Sequence, residues 1–440
     1  MFMTQLDSTI INVALGAVKT DFLSPTATVT WVVDSYLVTF ASCLLGFGVI
    51  GDRLGRRRMY LAGLALFAVT SAGCAMAPDV GWLIGLRAVQ GVAAAAVLVN
   101  SLAVLLDWFS AEDRPRAIGW WGAVAGISLA IGPPLGGLIV DGLGWRWVFW
   151  MNFPVALAGI AISRRVVRES YGSPRRMDWP GQLLALAALA TLTLGVASGA
   201  SSGWTAPSAL GCLSAAAVLA VAFVIAESRS ADPLVPLRLF GSRPFVCANL
   251  AAAMVSFGTM GLLFLISMYV LQVDHGSATA AGMRIVPLFA AHGLASSSAG
   301  RLCARWGGPV VAITGAAVAA IATWWLAWSA GDTAVMVLAL TICGIGVGAG
   351  MSALVACVAA AAPGEPAGLT SGLNNTARQI GNSVSVALLG GLVAAAATPQ
   401  QGVQLALWVN GAAYFLAAVL AAALAVRRNT GRPERDEAHC

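Results

Sequence analysis

The sequence predicts an all-α integral membrane protein of about fourteen transmembrane helices, set as two six-helix bundles with two extra helices between them. Three observations carry that reading. Of 440 residues, 59% are hydrophobic and only 10% charged, with a mean hydropathy of +0.82. Soluble chains carry about 25% charged residues, so most of this surface never meets water. The apolar residues also fall into long runs broken by Gly, Pro and charge. At about 20 residues per span and about 10 per connection, the chain is filled by about fourteen spans. No receptor ectodomain, nucleotide-hydrolysing domain or DNA-binding module has room.

Taken in order, the runs place helices near 1–18, 30–50, 59–76, 82–106, 117–140, 148–162, 181–199, 208–226, 245–270, 282–300, 309–329, 334–358, 372–397 and 403–426. The first begins at Met1 with Gln5 and Asp7 in its opening turns and no basic residue before it. At 1.5 Å per residue it reaches about 27 Å against a hydrocarbon core of about 30 Å, so an incomplete start is expected and a signal peptide is not.

Short loops that stay in the cytoplasm accumulate Lys and Arg. Arg53, Arg56, Arg57 and Arg58 follow the second helix, Arg114 and Arg116 the fourth, and Arg164, Arg165, Arg168, Arg175 and Arg176 the sixth. Arg229, Arg238 and Arg243 follow the eighth, Arg301 and Arg305 the tenth, and Arg427, Arg428, Arg432 and Arg435 lie in the tail. The opposite loops hold only Lys19, Arg146 and Arg284, so both termini are expected in the cytoplasm. The net charge of +6 is thus a matter of topology, and nucleic acid is not an expected partner. A single lysine against 24 arginines points to a high-GC bacterial genome, hence the cytoplasmic membrane.

GDRLGRRR at 51–58 and GRLCARWGG at 300–308 are short, glycine-containing and arginine-rich, and each joins an even helix to the next. If the last six helices repeat the first six, the divisions are 1–162, a linker 163–244 with two inserted helices, 245–426, and a tail 427–440. Transporters use such parallel repeats. The eight cysteines show no CxxC or Cys/His ligand spacing and there are three histidines, His275, His292 and His439, so no metal and no cofactor is expected.

A charged side chain at the bilayer centre costs about 2.5–3.5 kcal/mol on insertion scales, so each one needs a reason. Asp7 lies in the first helix, Asp34 in the second within WVVDSY, and Arg87 in the fourth within IGLRAVQG. Burial favours a protonated carboxyl and a nearby guanidinium favours the ionised one, so moving an Asp relative to Arg87 or to water changes its proton occupancy. Static ion pairing is the competing reading. GxxxxGK[ST] is impossible, because the one lysine follows Val18. One proton entering down about 150 mV supplies about 3.5 kcal/mol, enough for a gradient of a few hundredfold.

Several stretches together resemble the fourteen-helix drug:proton antiporter branch of the major facilitator superfamily. LDSTIINVAL at 6–15 resembles the first-helix signature, with Gly16 where proline is usual. GVIGDRLGRRR at 48–58 is similar to the loop signature between helices two and three, and IGLRAVQGVAAA at 84–95 to that of the fourth helix. SLAIGPPLGG at 128–137 resembles the antiporter signature of the fifth, with Ser128 replacing its first glycine. WRWVFWMNFP at 145–154 and NNTARQIGNS at 374–383 are also similar to the family.

The resemblance implies the major facilitator fold and proton-coupled export of an amphiphilic antibiotic or drug by a monomer in the lipid bilayer. It implies coupling through Asp7, Asp34, Arg87 and Gln90, and a gating loop of Gly48, Asp52, Arg53, Gly55, Arg56 and Arg57 that latches the two bundles. Arg56 and Arg58 have a plainer alternative, as mere topology signals. Gly132, Pro133, Pro134, Gly136 and Gly137 remove hydrogen bonds and Cβ bulk from the fifth helix, which bends it and smooths its face. Asn12, Asn374, Asn375, Arg378 and Gln379 are cavity or gate candidates, the last four at the start of the thirteenth helix. The row Gly344, Gly346, Gly348 and Gly350 reads as helix packing. Competing readings are a metabolite importer or exporter, a membrane-embedded transferase, for which paired intramembrane His/Asp residues are lacking, and a sensor.

Overall fold

The computed structural model describes residues 1–24, 26–110, 112–172, 178–230, 233, 235–274, 276, 278–329, 331–365 and 367–425. The side chains of Asn12 and Pro133, and Arg175, Arg176, His275 and the tail 427–440, lie outside the described residues.

In hydrocarbon every backbone N–H and C=O must be satisfied within the segment, so helices are the only open-chain solution for these runs. The first five are α1 (Phe2–Asp21), α2 (Thr26–Leu54), α3 (Arg56–Ala75), α4 (Val80–Trp108) and α5 (Arg114–Leu143). The sixth predicted span comes in two pieces, α6 (Arg146–Trp150) and α7 (Asn152–Val166). Then follow α8 (Trp179–Ser202), α9 (Pro207–Arg229), a one-turn α10 (Arg238–Gly241), and α11 (Arg243–Met268), which runs into a π-helical turn at Tyr269–Val273. The last five are α12 (Ala278–Trp306), α13 (Gly308–Trp328), α14 (Thr333–Ala361), α15 (Ala367–Ala395) and α16 (Pro399–Ala425). Every expected span has its helix. The observed helices overrun the apolar stretches because polar ends continue the helix; α15 opens five residues before the expected 372.

Starts are marked chemically. The carboxylate of Asp79 accepts from Trp82 N at 2.8 Å, that of Asp178 from Gly181 N at 2.9 Å, and that of Asp332 from Ala334 N at 2.8 Å. Among the described residues, α3, α4, α9, α11, α13, α14 and α16 are long and apolar enough to cross a membrane alone, and the bent α2 and α5 bring the number to nine. The polar helices α1, α12 and α15, which carry Asp7, His292 and Arg378, are not in that set.

Two cores form. Tyr36, Phe40, Phe67 and Phe149 bury among α1–α7, and Leu262, Phe289, Leu340 and Tyr414 among α11–α16. α8 and α9 pair with each other, and α8 also packs on α2 and α15. The seam between the cores is made by α5 on α12, α2 on α15 and α14 on α5. At its arginine-rich end Leu102, Leu106, Ile118 and Val355 close it with apolar contact.

The fifth helix is bent as expected, with an angle of 40° between its arms Arg116–Leu129 and Pro134–Leu143; α2 bends by 53° between Trp31–Leu44 and Gly46–Leu54. A methyl group on Gly132 or Gly136 would fall on Thr9 or Ile10 of α1, and one on Gly137 would stand 2.8 Å from Thr279 Oγ1 of α12. Three glycines not singled out from the sequence, Gly119, Gly122 and Gly126, continue the smooth face onto Ser296, His292 and Gly293 of α12. Their spacing was a legible small-residue signal. The α14 row divides between two neighbours: Gly344 and Gly348 lie on the α12 backbone, Gly346 and Gly350 on Gly315 of α13.

Candidate functional site

The first unit buries a polar network at its centre. The Asp7 and Arg87 side chains are both 0% exposed, and Arg87 Nη1 donates to Asp7 Oδ2 at 2.5 Å. The same nitrogen donates to Gln90 Oε1 at 2.7 Å, and Arg87 Nε donates to the Val32 carbonyl at 3.0 Å. The guanidinium carbon lies 4.2 Å from the centre of the Tyr36 ring. Asn152 Nδ2 donates to the other Asp7 oxygen at 2.9 Å and to Ser71 Oγ at 3.0 Å, while Gln90 Nε2 donates to Ser71 at 2.7 Å. One ion pair thereby ties α1, α2, α3, α4 and α7 together. Charge-assisted bonds in low dielectric are strong, and both charges are compensated.

Sequence reasoning found Asp7, Arg87 and Gln90 and missed Asn152, Ser71 and Tyr36. Asn152 stood in the WRWVFWMNFP stretch, one residue past the α6–α7 break, where a polar side chain can turn inward. A lone serine in an apolar helix gives no comparable signal.

Asp34 is set apart from this network. It is half-buried and makes no ion pair or side-chain hydrogen bond among the described residues. The expectation that Arg87 tunes both aspartates is therefore corrected: the guanidinium pairs with Asp7, held by the Val32 carbonyl and the Tyr36 ring, and makes no bond to Asp34. Two helical turns along, on the same face as Asp34, Ala41 lines a gap shared with Leu189 and Thr193 of α8 and Gln379 and Val384 of α15.

The arginine-rich loop is a tight knot. Asp52 and Arg56 are buried; Arg56 Nε donates to Asp52 Oδ1 at 2.7 Å, and Arg56 Nη1 also pairs with Asp107 at the end of α4. Glu169 accepts from Arg57 N at 2.9 Å, and Arg57 Nη2 donates to the Arg164 carbonyl at 2.7 Å. These bonds join the ends of α2, α3, α4 and α7. Arg56 is thus a structural centre rather than a topology signal, and its burial between two carboxylates is what the sequence did not reveal. Arg53 and Arg58 are exposed, and Gly48 is buried.

Gly55, at φ +107°, starts α3, and a methyl group there would stand 2.7 Å from the Glu169 carboxylate. Gly55→Ala is expected to cost about 1–3 kcal/mol, from a backbone region that only glycine occupies readily. Thermal unfolding in detergent reads this; an unchanged transition would remove the loop's structural role.

In the second unit Asn374 and Asn375 are buried and Arg378 and Gln379 half-buried. Because α15 opens at Ala367, Arg378 is its twelfth residue, about 17 Å along the helix and near its middle rather than at its start. Arg378 Nε donates to Ser256 Oγ of α11 at 3.3 Å and Nη1 to Asn375 Oδ1 at 3.4 Å; Asn374 Nδ2 donates to Asn249 Oδ1 at 3.3 Å. Asn382 Nδ2 donates to Gln379 Oε1 at 2.6 Å. The arrangement offers a half-buried carboxylate, Asp34, in the first unit and a half-buried guanidinium, Arg378, in the second.

Comparison with known proteins agrees with this architecture. The model of the family described as Major Facilitator Superfamily matches residues 1–386 and, again, 249–439. The multidrug resistance protein Stp of Mycobacterium tuberculosis (strain CDC 1551 / Oshkosh) is 35% identical over 398 residues, 90% of this chain and 74% of that protein. The methylenomycin A resistance protein of Streptomyces coelicolor is 31% identical over 440 residues, covering 99% and 91% of the two chains. Among solved structures, the proton:xylose symporter XylE superposes with a TM-score of 0.67 at 14% identity, over 98% of this chain and 93% of that one, a likeness that shows the fold alone.

Proposed function

The chain belongs to the Major Facilitator Superfamily, a family of membrane transporters and not of enzymes, and on that premise we propose that it exports amphiphilic antibiotics or drugs in exchange for protons. Resistance and multidrug names among relatives of 31–35% identity support the direction and the substrate class. The observation that carries the mechanism is Asp34: a half-buried carboxylate inside a spanning helix that packs on the second unit, with no cation paired to it among the described residues.

An ionised Asp34 is stable only while water reaches it; a protonated one can be sealed off. Closure of the seam around an empty site therefore requires proton uptake first, and reopening to the opposite side releases that proton. Substrate and proton then take turns, which is antiport. The bent, glycine-faced α5 slides on α12 as the seam opens, while the Asp7–Arg87 network keeps the first unit rigid. Residues 1–162 and 245–426 act as the two rocking bundles and 163–244 as the link carrying two extra helices. The protein sits as a monomer in the bacterial cytoplasmic membrane with both termini inside.

The purified chain in lipid vesicles is expected to move ethidium, an amphiphilic dye, against its gradient when a pH gradient is imposed, and to stop when an ionophore collapses it. Uptake at the same rate without the gradient would refute proton coupling.

A further inference from the structure

Residues 245–425 contain three acidic residues, Asp274, Asp332 and Glu365. All lie at helix ends, and each has its use: Asp274 pairs with Arg284, Asp332 caps α14, and Glu365 pairs with Arg238. Yet this unit places Arg378 near mid-helix, where a charge is costly to leave uncompensated. Its neighbours are neutral, Ser256 at 3.3 Å and Asn375 at 3.4 Å, both long contacts. Among the described residues no carboxylate of either unit pairs with it, and its second terminal nitrogen, Nη2, has no hydrogen-bond partner.

Three further facts give the place the shape of a site. Arg378 keeps accessible surface although α4 and α11 pack against its helix. His292, the fifteenth residue of α12, lies within electrostatic reach of Arg378, and its Nδ1 is buried without a partner. Asn374 Oδ1 and Thr376 Oγ1 on α15 are likewise buried without partners. Arg87 also leaves its Nη2 buried without a partner, but that guanidinium has a carboxylate against it, together with a carbonyl and an aromatic ring. One arginine has its counter-charge within its own unit. The other has none, in a unit whose spans carry no acid to balance it.

We infer that Arg378, with its neighbour Asn375, forms a subsite for an anionic group of a transported compound, so that amphiphilic acids, carboxylates or ionised enols, are bound in preference to their uncharged analogues. This rests on the drug-export reading above and narrows its substrate class. The carboxylate would complete the guanidinium with a charge-assisted bond at Nη2, while the apolar body of the compound lies along the seam. Asp34, on the other unit, is left free for the proton.

The test compares two forms of one scaffold: fusidate, an amphiphilic carboxylate, and its uncharged methyl ester, titrated against the purified full-length chain by intrinsic tryptophan fluorescence. Wild type is expected to bind the acid about tenfold or more tightly than the ester, the worth of one charge-assisted bond. Arg378→Gln should abolish that preference, and Arg378→Lys should keep part of it. Equal affinities for wild type, a comparison that needs no variant, would overturn the subsite, as would a preference that survives in Arg378→Gln. Vesicle transport of fusidate and ethidium separates the two readings. Gradient-driven export of ethidium without preferential fusidate binding sinks the subsite and spares drug export. Tight fusidate binding with no gradient-driven movement of either compound supports the subsite and sinks proton-driven export.

Discussion

Asp7→Ala is expected to destabilise the protein by about 3–5 kcal/mol and to abolish transport, because it leaves the Arg87 guanidinium buried without its carboxylate. The loss spreads. Asn152 loses an acceptor, and Ser71 and Gln90 lose the geometry that satisfies them, so α1 comes free from α3, α4 and α7. Asp7→Asn should be milder, since an amide oxygen can still accept one of the two bonds. Replacing both members, Asp7→Leu with Arg87→Met, removes both charges together and should recover most of the lost stability. Unfolding of the detergent-purified variants by heat, followed by circular dichroism, measures the series. If Asp7→Ala unfolds within about 1 kcal/mol of wild type, the pair is not the keystone of the first unit, and Asp7 returns as a candidate proton carrier.

The sequence disclosed the succession of helices and the bend in the fifth because both are local. A run of apolar residues of the right length has one outcome in a bilayer, and GPPLGG weakens a helix wherever it stands. Asp7, Asp34 and Arg87 were legible because charge is rare in such runs. Their pairing was not, since which aspartate meets Arg87 depends on how α1 rotates against α4, and hydropathy does not report rotation. Arg56 was hidden for a similar reason: an arginine in a loop reads as a topology signal until Asp52 and Asp107 are seen to bury it. The depth of Arg378 was misjudged because the opening turns of α15, AGLTSGL, are helical without being strongly apolar.

Asp34→Asn is expected to fold normally and to lose pumping altogether. Stability should change by no more than about 0.5 kcal/mol, because Asp34 has no partner among the described residues whose bond would be broken. Transport should change completely. Asparagine imitates the protonated carboxyl and cannot release a proton, so the seam closes and opens whether or not a proton has been taken up. Exchange of labelled for unlabelled drug across vesicles at equal pH should therefore continue, while accumulation against a gradient falls from the few hundredfold that one proton can sustain at about 150 mV to none. Asp34→Glu keeps a titrating group and should retain part of the pumping. The pairing of surviving exchange with lost accumulation separates a coupling residue from a structural one, since a misfolded variant would lose both. Accumulation by Asp34→Asn at the wild-type level would show that the proton is carried elsewhere and remove Asp34 from the cycle.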